Sequence, residues 1–74
     1  MEQDEKKMLG AEIKRRRLAA GISQQKLARM LDMNRTRIRE IENGKGNPQL
    51  NTLIRIANGL DASLRDLFDW KDQS

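Results

Sequence analysis

Residues 23–43, SQQKLARMLDMNRTRIREIEN, decide how this chain folds. The stretch reads as two short helices joined by a tight turn. Ser23 offers an N-cap hydroxyl, and Ile22 and Leu27 occupy the positions of a hydrophobic staple around it. Lys26 stands where Glu or Gln would complete a capping box, so that box is open. The first helix is expected to reach Met30 or Leu31 and to bury Leu27, Ala28 and Leu31. Asp32 takes the turn. Asn34 caps a second helix of about eight residues that ends at Asn43-Gly44.

That second helix conflicts with its own stability. Rotating by about 100° per residue puts Ile38 and Ile41 on one side, with Glu42 beside them, and that side must face a core. Thr36, Arg39, Glu40 and Asn43 fall opposite, and Arg35 projects from the N-terminal end. Arg35 and Arg39 are four apart and repel by about 0.2–0.5 kcal/mol. Arg35 and Arg37 sit in the first turn, where the macrodipole favours acids. The bland reading is a set of solvated arginines with apolar stems. The functional one is that a polyanion lies against this face, because local conflict tends to mark function. In the major groove of DNA, arginine suits the guanine O6/N7 pair, and Thr36 suits a thymine methyl. Glu40 would either pair locally with Arg37 or Arg39, or accept from a cytosine amino group.

Working outward, a preceding helix is expected from about residue 5 to residue 20, after four disordered residues. Leu9, Ile13 and Ala20 lie near one face of it, and Gly21 ends it. Lys14, Arg15, Arg16 and Arg17 fan around its second half and cannot all face one ligand. Residues 45–48 form a loop. A fourth helix over 50–58 is expected to bury Leu50, Leu53, Ile54 and Ala57, with Ile56 and Leu60 at its edge. Ser63 caps a short fifth helix with Asp66 in a capping-box position, and Leu64, Leu67 and Phe68 form its apolar side. No strand pattern appears, so the expectation is an all-α, compact five-helix bundle. Its parts would be an acidic extension over 1–12, a domain over 13–68 and an acidic tail over 69–74.

The totals narrow the function. A chain of 74 residues buries only roughly 60% of its unfolded surface, which leaves little room for an enclosed active site. It has no cysteine and no histidine, so a thiolate cage and the commonest general base and metal ligand are lacking. No nucleophile–base pair has workable spacing, which argues against an enzyme, a metal or a cofactor. No apolar run is long enough to span a bilayer, and the acidic N-terminus is no signal peptide, so a cytoplasmic protein without a membrane partner is expected. Net charge is −2 over residues 1–12, +8 over 13–60 and −2 over 61–74. A basic middle between acidic ends points to a polyanion for the middle.

The pieces IKRRR (13–17), GISQQKLARMLDMN (21–34), RTRIREIENGKGNP (35–48) and LNTLIRIANGLDASLRDLF (50–68) resemble the Xre/Cro-type helix-turn-helix regulators, the family that includes lambdoid phage repressors. The resemblance covers about three-quarters of the chain without gaps. It implies a phage-repressor DNA-binding domain of five helices whose third reads the major groove while the second crosses the backbone. By position it implies a DNA-facing set of Gln24, Gln25, Asn34, Arg35, Thr36, Arg37, Arg39, Glu40, Asn43, Lys45 and Asn47. Arg35, Thr36 and Glu40 would contact bases. Gln24 would bind phosphate and brace the reading helix, and Lys45 and the amides around Asn47 would meet phosphate. Arg17 and Glu42 match a partly buried ion pair, which takes Arg17 off the binding surface. Departures are Asp32 and Asp61 where the family usually has glycine, and Gly59 where alanine is usual.

One reading helix specifies few base pairs, so a homodimer on a palindromic operator in double-stranded DNA is expected. Leu64, Leu67, Phe68 and Trp70 would make the dimer contact, with Trp70 open between core packing and an interface anchor. The acidic ends would keep the termini off phosphate. No small-molecule effector is evident. The leading class is a transcriptional regulator, expected to be a repressor; the alternative is an antitoxin-type or restriction–modification controller protein that also binds a protein partner.

Overall fold

Four α-helices account for most of the chain: α1 Glu2–Ala19, α2 Gln24–Met30, α3 Arg35–Glu42 and α4 Leu50–Gly59. The computed structural model describes residues 2–68, and no strand occurs among them. α1 begins at Glu2, earlier than the sequence led us to expect, and ends at Ala19. Its first turns carry Asp4 and Glu5 and its last turn Arg16 and Arg17, a distribution that complements the macrodipole at both ends. Ala20 is exposed, not part of the apolar face.

Each helix is closed in the same way. After α2, the Asp32 N–H donates to the Arg29 carbonyl and the Met33 N–H to the Ala28 carbonyl; after α4, Asp61 and Ala62 repeat this on Asn58 and Ala57. These are Schellman closures, which need a left-handed residue just past the cap. Asp32 and Asp61 supply it with φ of 53° and 56°. The N-caps are side chains at α2 and α3: Ser23 Oγ accepts from the Lys26 N–H, and Asn34 Oδ1 from the Thr36 N–H.

The expected fifth helix is corrected to a single 3₁₀ turn over residues 65–68. Ser63 and Asp66 exchange hydrogen bonds, with the Ser63 N–H donating to Asp66 Oδ2 and the Asp66 N–H to Ser63 Oγ. That reciprocal pair fixes one tight turn, and the Asp66 and Leu67 N–H groups then bond three residues back, in 3₁₀ fashion.

The core joins Leu9 and Ile13 of α1, Leu27, Ala28 and Leu31, Ile38 and Ile41 of α3, Leu53, Ile56, Ala57 and Leu60, and Leu67. α3 packs against both α1 and α2. On α4 the buried stripe differs from the expected one. Ile56 is fully buried and Leu60 is buried, whereas Leu50 is 60% and Ile54 39% exposed. Both stripes contain Leu53 and Ala57 at helical spacing, so periodicity alone could not choose between them. Gly59 also acquires a packing reason, because a Cβ there would lie 3.0 Å from Leu31 Cδ2.

Two carboxyls sit below their usual range. Glu12 is held down chiefly by its hydrogen bond from Arg15, with Arg16 adding and burial opposing. Asp66 is held down by the Ser63 backbone N–H and then by the Ser63 hydroxyl. A depressed folded pKa contributes stability that is complete above the unfolded-chain value, roughly pH 4, and that fades as pH falls through the folded one. The thermal midpoint should therefore be steady from pH 7 to 5 and drop below about pH 4. Glu12→Gln should remove part of that acid-side drop, and an equally steep drop in the variant would disprove the assignment.

Candidate nucleic-acid interface

α3 is divided lengthwise. Ile38, Ile41 and Glu42 are buried, while Arg35, Thr36, Arg37, Arg39, Glu40 and the capping residues Asn34 and Asn43 are exposed. Among the described residues, Glu40 makes no ion pair with Arg37 or Arg39, so its local-pairing reading has no counterpart in the structure. All three arginines of α3 are likewise without a carboxylate partner among the described residues.

The angle of α3 is set by one buried carboxylate. Arg17 Nε donates to Glu42 Oε2 at 2.6 Å and Arg17 Nη2 to Oε1 at 3.0 Å, a bidentate pair that is almost fully buried. Gln24 Nε2 donates to the same Oε1 at 3.0 Å, and Arg17 Nη1 donates to the Ile22 carbonyl at 2.8 Å. The end of α1, the first residue of α2 and the last of α3 are thereby tied at one point. Gln24 commits one amide hydrogen to this knot and keeps the other. A further tie runs between α4 and α2, where Arg55 Nη2 donates to the Leu31 carbonyl.

Shallow depressions flank α3. One is lined by Arg35, the first residue of α3, with Ser23, Gln25 and the Arg17 and Gln24 side chains that hold Glu42. At the C-terminal end of α3 another is lined by Lys6, Lys7, Asn43, Gly44, Lys45 and Gly46. Lys45 and Asn47 are exposed in the loop after α3. Lys6 and Lys7 were missed by sequence reasoning because they were averaged into a segment of net −2. The signal available was their pairing within that segment, and its meaning depends on where α1 lies. Gly10 was also missed: a Cβ there would lie 2.4 Å from the Ile41 carbonyl oxygen, so α1 and α3 touch through backbone at this residue.

The expected pairing residues need one correction. Leu67 is fully buried in the core of its own chain and cannot contact a second copy. Leu64 and Phe68 are half-buried against the same core. Trp70 lies outside the described residues.

Comparison with known proteins agrees with this architecture. A family model described as helix-turn-helix (HTH_3) matches residues 13–67. The chain is 45% identical over 51 residues to the ImmF control region 10 kDa protein of Bacillus phage phi105, covering 69% of this chain and 57% of that protein. It is thus a match to little more than half of the phage protein's length. It is 40% identical to control protein C.MunI of a Mycoplasma species, over 74% of each chain. The crystal structure of the restriction–modification controller protein C.AhdI from Aeromonas hydrophila superposes with a TM-score of 0.81 at 31% identity, covering 84% of this chain and 94% of that one.

Proposed function

This chain belongs to the HTH_3 helix-turn-helix family, and from that we propose that it is a sequence-specific DNA-binding transcriptional regulator whose α3 enters the major groove. The observation that carries the reading is the division of α3. Its inner side is locked by Ile38, Ile41 and the Glu42 knot, while its outer side offers Thr36, Glu40 and arginines that have no carboxylate partner among the described residues. A surface so rigidly held and so poorly self-compensated suits an external hydrogen-bonding partner. Arg35, Thr36, Arg39 and Glu40 read base edges. Arg37, Gln24, Gln25, Asn34, Asn43, Lys45 and Asn47 position the helix on phosphates. Two copies bind a palindromic operator with half-sites about 34–36 Å apart. Leu64 and Phe68, half-buried at the edge of the core, contribute to that pairing. The protein works in the cytoplasm, as a repressor.

Selection of duplex DNA from a random pool tests this directly. The expected product is a symmetric consensus, and recovery of no consensus would sink sequence-specific binding. On that consensus, Arg35→Ala should weaken binding by about 1–3 kcal/mol and relax discrimination at one base pair. Equal losses on consensus and random DNA would rule out base reading by Arg35.

A second reading is favoured by the similarity to C.MunI and C.AhdI over most of both chains. In it the regulated genes are those of a restriction–modification system. The selected consensus should then lie upstream of neighbouring endonuclease and methyltransferase genes, and its absence there would dispose of this role while leaving the regulator reading intact.

A further inference from the structure

We propose that Lys6 and Lys7 of α1 join the loop after α3 to form a seat for a DNA backbone phosphate, so that the N-terminal helix is part of the nucleic-acid interface. The inference rests on the DNA-binding reading above and extends it to a segment whose net charge is negative.

Placement is the first argument. Lys6, Lys7 and Lys45 border one concavity with Asn43, Gly44 and Gly46. Among the described residues, none of these lysines is paired with a carboxylate. The position of the concavity is fixed by backbone contact, since a Cβ on Gly44 would lie 2.8 Å from Lys7 Cα and 2.7 Å from Lys7 Cγ. The base of Lys7 is therefore held against the loop, and Lys6 borders the same concavity beside it.

Charge is the second. Cations gathered at one concavity repel unless a counter-charge lies between them. The C-terminal end of α3 supplies a partial negative charge worth about 0.3–1 kcal/mol to a nearby cation, which suits one lysine better than three. Of the carboxylates in the segment, Asp4 and Glu5 lie away from Lys6 and Lys7, and Glu12 is held by Arg15 and Arg16. On a helical wheel Glu5 lies roughly 150° and Asp4 roughly 110° from the midpoint of Lys6 and Lys7. Glu5 borders a different depression, with Lys6, Leu9 and Phe68. The sum of −2 over residues 1–12 thus hides a directional arrangement.

Spacing is the third. A second depression takes in Arg35, the first residue of α3, with Gln25, whereas the lysine-lined one takes in Asn43, just past its last residue. Eight residues of helix span about 12 Å, which matches a major groove about 12 Å wide. With α3 in the groove, the two basic depressions lie on the scale of its two phosphate walls.

The test is the double variant Lys6→Gln/Lys7→Gln. Glutamine keeps the Cβ and Cγ of lysine, which pack beside Gly44, and replaces the charged end by a shorter neutral amide. Binding of the wild type and the variant is measured on the selected duplex and on a random duplex of equal length, from 50 to 200 mM salt, beside the thermal midpoint of each protein. The expected result is an unchanged midpoint and a salt slope flatter by about 0.9 for each phosphate released. That corresponds to a roughly threefold smaller salt effect across this range per contact. Losses should be equal on both duplexes, because phosphates carry no sequence. An unchanged slope in a variant that binds like the wild type would overturn the proposal. So would a lowered midpoint with an unchanged slope, which would assign the lysines to the α3 dipole alone. Failure of the wild type to bind either duplex would instead remove the DNA-binding reading, and this proposal with it.

Discussion

Glu42→Ala is expected to lower the stability of this protein by about 3–5 kcal/mol, the usual consequence of stranding one member of a buried ion pair. Without the carboxylate, the Arg17 guanidinium keeps its charge in an almost fully buried position, with the Ile22 carbonyl as its remaining acceptor. Gln24 loses its acceptor as well. A domain of this size holds roughly 4–11 kcal/mol in total, so the variant should be largely unfolded or close to it at 37 °C. Removing both charges with apolar residues of similar volume, Arg17→Met/Glu42→Leu, should recover much of the loss, since the desolvation cost disappears with the pair. Denaturant unfolding of the two variants is the measurement. A Glu42→Ala protein within about 1 kcal/mol of wild type would show that the pair does not hold the fold. The recovered double variant should still bind its operator poorly, because the tie among α1, α2 and α3 is what aims the reading helix.

Gly10→Ala is the second large effect, and its sign separates two arguments. Helix propensity alone says that alanine in the middle of α1 should stabilise by about 0.8–1 kcal/mol. Packing says the reverse. The new Cβ would sit 2.4 Å from the Ile41 carbonyl oxygen and 2.5 Å from that of Glu42. Both are backbone atoms, so no side chain can rotate away, and α1 must lift off the end of α3. Overpacking of this kind typically costs about 1–3 kcal/mol, and rigid backbone neighbours push towards or past the upper end. The lift also disturbs the Arg17–Glu42 pair two turns along. A measured gain in stability would show that the helices separate without strain.

The helix pair proposed to meet DNA was legible because its signals are local. Ser23 and Asn34 cap as the sequence suggests, and Ile38 and Ile41 turn inward as the wheel requires. The apolar side of α4 was not legible, because the stripe through Leu53, Ile56, Ala57 and Leu60 and the stripe through Leu50, Leu53, Ile54 and Ala57 share two members. Choosing between them needs the partner surface, here α2 and the turn after Leu60. The final segment failed for a related reason. A capping box announces that a helix starts but not how long it runs, and residues 65–68 complete only one 3₁₀ turn.

By itself, then, the sequence determined the order of the four helices, the caps of α2 and α3 and the division of α3 into an apolar and an arginine-bearing side, because each depends on residues within a few positions of one another. Tertiary structure alone decided what lies across from what. It placed Leu67 inside, brought Arg17 and Gln24 onto Glu42, seated Gly10 on the carbonyls of α3, and set Lys6 and Lys7 beside the loop at Gly44. Contacts between residues tens of positions apart leave no periodicity in the chain, and a net charge summed along a segment discards the directions in which its side chains point.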